Sequence, residues 1–397
     1  YLVSLGTINF DRALCDAAFG GHLEICKYFV SLGATDFNKA ISNAAHNDNL
    51  EFCKYLVSLG TFDVSDFDRA LKNAAFDGHL EICKYFVSLG ATNFNIALTY
   101  AACHGHLELC KYFVSLGATH LNIALSNAAN YGHLELCKYF VSIGATDLNG
   151  ALWITARSGH LHICKYFVSL GATNFNSALW ITARNGHLHI CKYFVSLGAT
   201  DFDNALENAS IFGHLHICKY LVSIGATNFN STLSKAATYG HLELCKYIVS
   251  LGATDFNGAL QNAAGCGDLN ICKYFVSLGA TDFNSALYHA AGGGFMEVCR
   301  YLISLGIVDV TTFNDALEIA AMEGYMSLCK YFIELGATNL DQALRNAAVN
   351  GKLKLCKYLV SLNTTDFDSV LKCTSKKSKI YKWLHEQKNE YELNMNS

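Results

Sequence analysis

Proline is absent from all 397 residues, and charge is scarce, with Asp, Glu, Lys and Arg together making up 16%. Without proline the chain must punctuate its elements with glycine and with Thr, Asp or Asn caps. Hydrophobic residues make up 52%, which with so little charge excludes a disordered chain. Long apolar runs are missing too: none reaches the roughly 18 residues of a membrane span, and no secretory signal opens the sequence. No membrane partner is expected. Positive charge is not in excess, since the formal net charge is −4 and lysines and arginines are spread evenly, so no basic field exists to draw in nucleic acid. A phosphate loop, a dinucleotide fingerprint, a nucleophile elbow and a His-Glu-x-x-His helix are all lacking. The sequence therefore predicts no enzyme and no cofactor.

What the sequence does have is one block written many times. Gly159 to Ala172, GHLHICKYFVSLGA, is one copy. Aligned on their cysteine, the copies fall at Cys26, Cys53, Cys83, Cys110, Cys137, Cys164, Cys191, Cys218, Cys245, Cys272, Cys299, Cys329 and Cys356. Their spacing is 27 residues, except for two intervals of 30, before Cys83 and before Cys329. A fixed period in this range is the mark of a solenoid, whose units bury their apolar faces only by stacking on neighbours.

Each unit divides into two helical stretches. In the first, for example FNKAISNAAHN from Phe37, the apolar residues Ala40, Ile41, Ala44 and Ala45 share one face. Alanine pairs such as Ala74 and Ala75 keep that face small, so neighbouring helices can approach closely. The second stretch, HLEICKYFVSLG, has a broad apolar face with Leu23, Ile25, Cys26, Phe29, Val30 and Leu32, and is expected to be the better buried of the pair. Gly33 and its equivalents would end the second helix, and Thr35 and Asp36 would cap the next. Residues 1–6, YLVSLG, match the tail of the block, and Tyr1 stands where a methionine would start a chain, so a truncated first unit is expected. Two three-residue insertions, at Thr61 to Ser65 and Ile307 to Thr311, interrupt the period. Residues 366–397 carry Ile380, Trp383 and Leu384 at the apolar positions among several lysines, and read as a polar cap closing an array over 1–365.

Thirteen of the 17 cysteines occupy one position in the repeat. Stacked layers lie roughly 8–10 Å apart and a disulfide needs α-carbons within about 7 Å. The ladder is therefore read as small buried thiols in a reducing compartment, cytoplasmic, with the cytoplasm or nucleus of a host cell included. Histidine follows the inter-helix glycine, as at His22 and His79, but Asn49 and Asp268 replace it. Both substitutes favour helix N-termini, so the histidines read as N-caps. Pairing His160 with Cys164 gives two metal ligands per layer where zinc needs three or four, so no metal is expected. Lysines from Lys27 to Lys357 follow a glutamate three residues back in six units, as weak surface pairs do.

The block GHLEICKYFVSLGAT and the junction Ala74-Ala75-x-x-Gly78-His79 closely resemble the second helix and the turn of the ankyrin repeat. The signature T-P-L-H-x-A of that family is represented by forms such as Asn95-Ile96-Ala97-Leu98-Thr99-Tyr100-Ala101. The period of 27 is six short of the usual 33, the missing residues being those of the projecting β-turn finger. Short arrays of this kind resemble those of large DNA viruses of amoebae and of protists. The resemblance implies an all-α, ankyrin-type helical repeat solenoid that has lost its finger, a monomer that binds a protein or peptide without catalysis.

Columns compared between repeats separate what the architecture holds constant from what is free. The column of Trp153 and Trp180 also holds Lys72, Glu207, Gln261, Glu318 and Arg345, residue types that are rarely buried without partners. It is expected to face water. The two positions between the alanine pair and the glycine vary as well, and in the resembling family their equivalents contact ligands. Trp153, Arg157, Trp180, Arg184, Ile211, Phe212 and Tyr239 are therefore the candidate partner-binding residues, of types enriched at binding hot spots. His162, His189 and His216 replace the glutamate of the surface pairs and leave the middle locally basic around Lys165, Lys192 and Lys219. Two alternatives remain: an array that binds nucleic acid through this central His/Lys/Arg/Trp stretch, and the targeting module of an enzyme or ubiquitin-ligase adaptor whose other domain is absent.

Overall fold

A computed structural model describes residues 9–306, 309–362, 364 and 366–395. The matched opening YLVSLG therefore lies outside the described residues, as do Ile307 and Val308 of the second insertion. Twenty-eight helices and no strand are found among the described residues. They come in pairs, one pair per repeat, mostly joined by two or three residues, as in Phe94–Cys103 followed by Leu107–Ser115, and by five between Phe37–Ala44 and Leu50–Val57 and before Lys379–Met395. The chain forms two compact units, 1–200 and 201–397. Each has the same construction, and among the described residues no finger projects from the linkers.

Helix pairing follows from the columns. The first helix Phe94–Cys103 buries Ala97, Leu98, Ala101 and Ala102; the second, Leu107–Ser115, buries Leu109, Cys110 and Phe113. Within each unit successive first helices pack closely on one another, whereas second helices meet much less. The first helix, not the second, is thus the more enclosed. The alanine pairs have no side chain beyond Cβ and let the first helices close in, while the ring of Phe113 holds the second helix away from its equivalents.

Three kinds of contact fix each repeat on the next. An Asn or Asp near the start of the first helix, its second residue or its fifth where an insertion lengthens the helix, accepts two backbone N–H groups from the following linker through its side-chain oxygen. Asn122 Oδ1 accepts from Thr146 at 2.8 Å and Asp147 at 3.1 Å. Asn149 does the same for Thr173 and Asn174 at 2.9 and 3.1 Å. Asp11 makes these bonds to Thr35 and Asp36, and they hold its carboxyl below the usual range. A side-chain acceptor thus satisfies linker donors in repeats that have no hairpin.

Histidines supply the second contact. They do sit at the N-cap position, but His79, His106, His133, His160, His187 and His241 make no side-chain cap bond. Nε2 of each pairs instead with a main-chain carbonyl of the preceding repeat, as His133 does with Cys103 O at 3.0 Å and His160 with Asn130 O at 3.1 Å. The replacements Asn49 and Asp268 do cap by side chain. The imidazole is long enough to reach across one layer and lies under the preceding glycine: a Cβ on Gly78, which has φ +90°, would meet the His106 ring at 2.6 Å.

The third contact lies on the second helices. Six exposed Glu–Lys pairs close at 2.6–2.8 Å within single helices, from Lys27–Glu24 to Lys246–Glu243, and leave the crossing between repeats to lysine–tyrosine contacts. Several lysines also lie over a tyrosine ring one repeat on, such as Lys27 over Tyr55 at 5.7 Å and Lys273 over Tyr301 at 5.7 Å. Both insertions lengthen a first helix at its start, giving Val64–Asp77 and Val310–Glu323 at 14 residues each. Asp63 and Asp66 form a capping box at the first of these. At the C-terminus Phe367–Cys373 packs against Lys379–Met395, which buries Ile380 and Leu384, and Lys357 lies over Trp383 at 5.9 Å.

Candidate binding surface

The helices Leu148–Ser158 and Phe175–Arg184 carry the two central tryptophans at the same turn. Their rings meet at a centroid distance of 6.1 Å and an interplanar angle of 60°. Each is half-buried, so the column does not simply face water as expected. The two rings pack against each other at a tilt, and each stays partly accessible. The Arg157 guanidinium sits 5.9 Å from the Trp153 ring centroid, one helical turn on. Arg157 and Arg184 are exposed.

Elsewhere this column bridges to the next repeat. Gln261 donates to Asp282 at 2.8 Å, and Glu207 and Glu318 accept from Asn228 and Asn339, each 21 residues on. Burial raises the Glu318 carboxyl above its ordinary range. At Trp153 and Trp180 an aromatic contact occupies the place of these polar bridges.

Ile211, Phe212 and Tyr239 lie in the C-terminal unit. Ile211 is half-buried and its carbonyl takes the His241 bond at 3.0 Å. Phe212 is 49% exposed and stacks on His214, and Tyr239 is 52% exposed. Trp153, Arg157 and Trp180 are therefore brought together in one unit, while Phe212 and Tyr239 are exposed and Ile211 half-buried in the other.

The basic middle is present but on a different helix. Lys165 lies over Tyr193 at 5.8 Å and Lys219 over Tyr247 at 5.5 Å, both on second helices, whereas the tryptophans are on first helices. Thirteen ladder cysteines are fully buried and free. Burial pushes most of their thiols, Cys164 among them, up to about 12. Among the described residues no group of three or more His, Cys, Asp or Glu could hold a metal ion, and no helix is long and apolar enough to cross a membrane.

Sequence reasoning missed a ladder of rings in the N-terminal unit. Phe19 meets His46 at 5.5 Å, His46 meets Phe76 at 6.1 Å, Phe76 meets His104 at 3.9 Å and His104 stacks near Tyr131 at 6.3 Å. Asp77 holds His46 Nδ1 at 2.5 Å. Lys72 lies over Tyr100, which itself touches Phe76. The signal was present in the two variable positions before the glycine, but it crosses from one column to the other at Phe76 and His104. Neither column read alone displays it.

Helix pairs stacked at a fixed period, with a conserved turn glycine and a first-helix surface free to vary, define a helical repeat solenoid of interaction type. The family model of ankyrin repeats, described as three copies, matches overlapping windows from 14–97 to 260–343. The chain belongs to the ankyrin repeat family. No curated protein matches it.

Proposed function

We propose that the chain is a non-enzymatic scaffold that binds a protein or peptide along its first-helix columns, with Trp153, Arg157, Trp180 and Arg184 at the centre. Ile211, Phe212 and Tyr239 serve the same purpose in the C-terminal unit. Ankyrin repeats are generally protein–protein interaction modules. The observation that carries the reading is the Trp153–Trp180 pair: two large rings, half-open to solvent, at positions where other repeats keep polar bridges. Aromatic rings held this way lose little conformational freedom when a partner covers them.

Replacing both tryptophans by alanine should weaken partner capture by about 2 kcal/mol or more. Because the rings are half-buried, the same change also costs about 1–2 kcal/mol of stability, more than a surface site would. Affinity is therefore compared at equal folded fraction, by pull-down with quantitative mass spectrometry. Unchanged partners in the folded double variant would remove the pair from the site. In the same reading the protein acts as a monomer in the reducing cytoplasm, supported by its buried free thiols. Residues 366–397 close the array, supported by buried Ile380 and Leu384 beneath exposed Lys376, Lys377 and Lys382.

A further inference from the structure

The first-helix surface of the N-terminal unit is chemically divided. Its early repeats carry the ring ladder, with Phe19 60% and Tyr131 56% exposed. Carboxylates accompany those rings, Asp77 on His46 and Asp16 near Arg12 at 3.9 Å. The four consecutive first helices Phe94–Cys103, Leu121–Asn130, Leu148–Ser158 and Phe175–Arg184 contain no Asp or Glu at all. They end on the exposed cations Arg157 and Arg184 beside the tryptophan pair. One end of the surface thus carries rings among paired charges, and the other carries rings and arginines on helices whose own sequence has no Asp or Glu.

From this division, and resting on the function proposed above, we infer that the partner segment is a peptide with an apolar block and an acidic block. The apolar side chains lie on the Phe19–Tyr131 ladder, whose neighbouring carboxylates Asp16 and Asp77 are already taken by Arg12 and His46. The acidic block lies over Trp153 and Trp180, where Arg157 and Arg184 meet carboxylates bidentately. Most rungs are 5.5–6.3 Å apart. Alternate residues of a strand lie about 6.7 Å apart and i, i+4 residues of a helix rise about 6 Å, so either conformation can place side chains on successive rungs. Chemistry, not conformation, is what the surface selects. A single-stranded nucleic acid is the weaker fit. It calls for cations tracking its backbone, whereas Ile96 and Ile123, exposed on the intervening helices, offer none.

The test uses the full chain and synthetic peptides of about 14 residues, titrated by calorimetry and by tryptophan fluorescence. One set joins a Leu/Phe block to an Asp/Glu block, with apolar residues at alternate or at i, i+4 spacing. Controls replace the acids by Ser or by Lys, and a (dT)14 oligonucleotide is titrated in parallel. The acidic–apolar peptides should bind at least tenfold tighter than both controls in one of the two spacings. R157E/R184E should abolish that preference and turn it toward the Lys peptide, R157Q/R184Q should abolish it without reversal, and circular dichroism should show both variants folded. Equal affinity for acidic, neutral and basic peptides overturns the inference, as does tighter, steeply salt-dependent binding of (dT)14. If W153A/W180A leaves partner capture intact, the function proposed above fails. If that variant loses capture while R157E/R184E retains peptide affinity unchanged, the function stands and the acidic assignment falls.

Discussion

Asn149 is the most direct point at which to break one seam between repeats without touching the core. Its Oδ1 accepts Thr173 N–H at 2.9 Å and Asn174 N–H at 3.1 Å, and both bonds are exposed. Asn149→Ala removes both acceptors and leaves two linker donors to water. A hydrogen bond of this kind contributes about 0.5–1.5 kcal/mol net, and solvent can re-bond the freed groups, so the expected loss is about 1–2 kcal/mol. Asn149→Asp should instead come within about 0.5 kcal/mol of wild type at neutral pH, because Asp68 and Asp203 make the same two bonds in their own repeats. The two variants also differ in acid. Backbone N–H groups lower the pKa of Asp11 in this position, and a group depressed on folding contributes stability present above its unfolded pKa. That contribution is lost as pH falls through the folded value, so the aspartate variant should weaken below about pH 4 relative to wild type. Urea denaturation gives the totals, and hydrogen exchange at Thr173 and Asn174 gives the site. An alanine variant with unchanged stability and unchanged protection of those two amides would refute the role assigned to this column.

Iodoacetamide at pH 8 should modify exposed Cys266 and Cys373 first, while Cys164 and its equivalents react only on unfolding, because burial holds those thiols at about 12 and the thiolate is the nucleophile. Rapid labelling of Cys164 in folded protein, read by peptide mass spectrometry, would contradict this. His133→Ala should cost about 1–2 kcal/mol through the lost bond to Cys103 O and the lost ring under Gly105. His133→Phe should cost less, since Phe295 already fills the equivalent space under Gly267; equal losses in a denaturation series would argue against the packing part. Gly90→Ala, at φ +103° with open space around it, should cost about 1 kcal/mol of backbone strain, whereas Gly78→Ala adds a clash with His106 and should cost clearly more.

The helix pairs, their boundaries and the buried thiol ladder were legible because the same local pattern is written thirteen times, and period alone separates core from surface. Features that depend on a partner one repeat away were not. The histidines looked like caps because cap preference concerns bonds two or three residues on, whereas His133 bonds a carbonyl 30 residues back. The Asn and Asp column drew no reading, since its targets are linker amides 24 and 25 residues on. The tryptophan column was expected to face water because lysine and glutamate share it, but Trp153 and Trp180 shield each other. The larger side chains of the second helices suggested deeper burial, yet the small first-helix alanines permit the closer packing.

Every seam bond described within the N-terminal unit reaches one repeat and no further. Residues 148–174 and 175–201 differ at four positions only, and one of these is a seam donor: Ser158 bonds Asn130 Oδ1 at 2.8 Å, whereas Asn185 bonds Ile181 O in its own helix. Excising 148–174 would leave Asn122 facing Thr146 and Asp147 as before, and would bring His187 to the Asn130 carbonyl that His160 now uses. The junction would keep its linker and histidine bonds and change only at the Ser158–Asn130 contact, where Asn185 would stand. Array length is therefore a quantity that gene duplication and loss can change in whole steps of 27 residues, while the contents of the variable columns change one codon at a time.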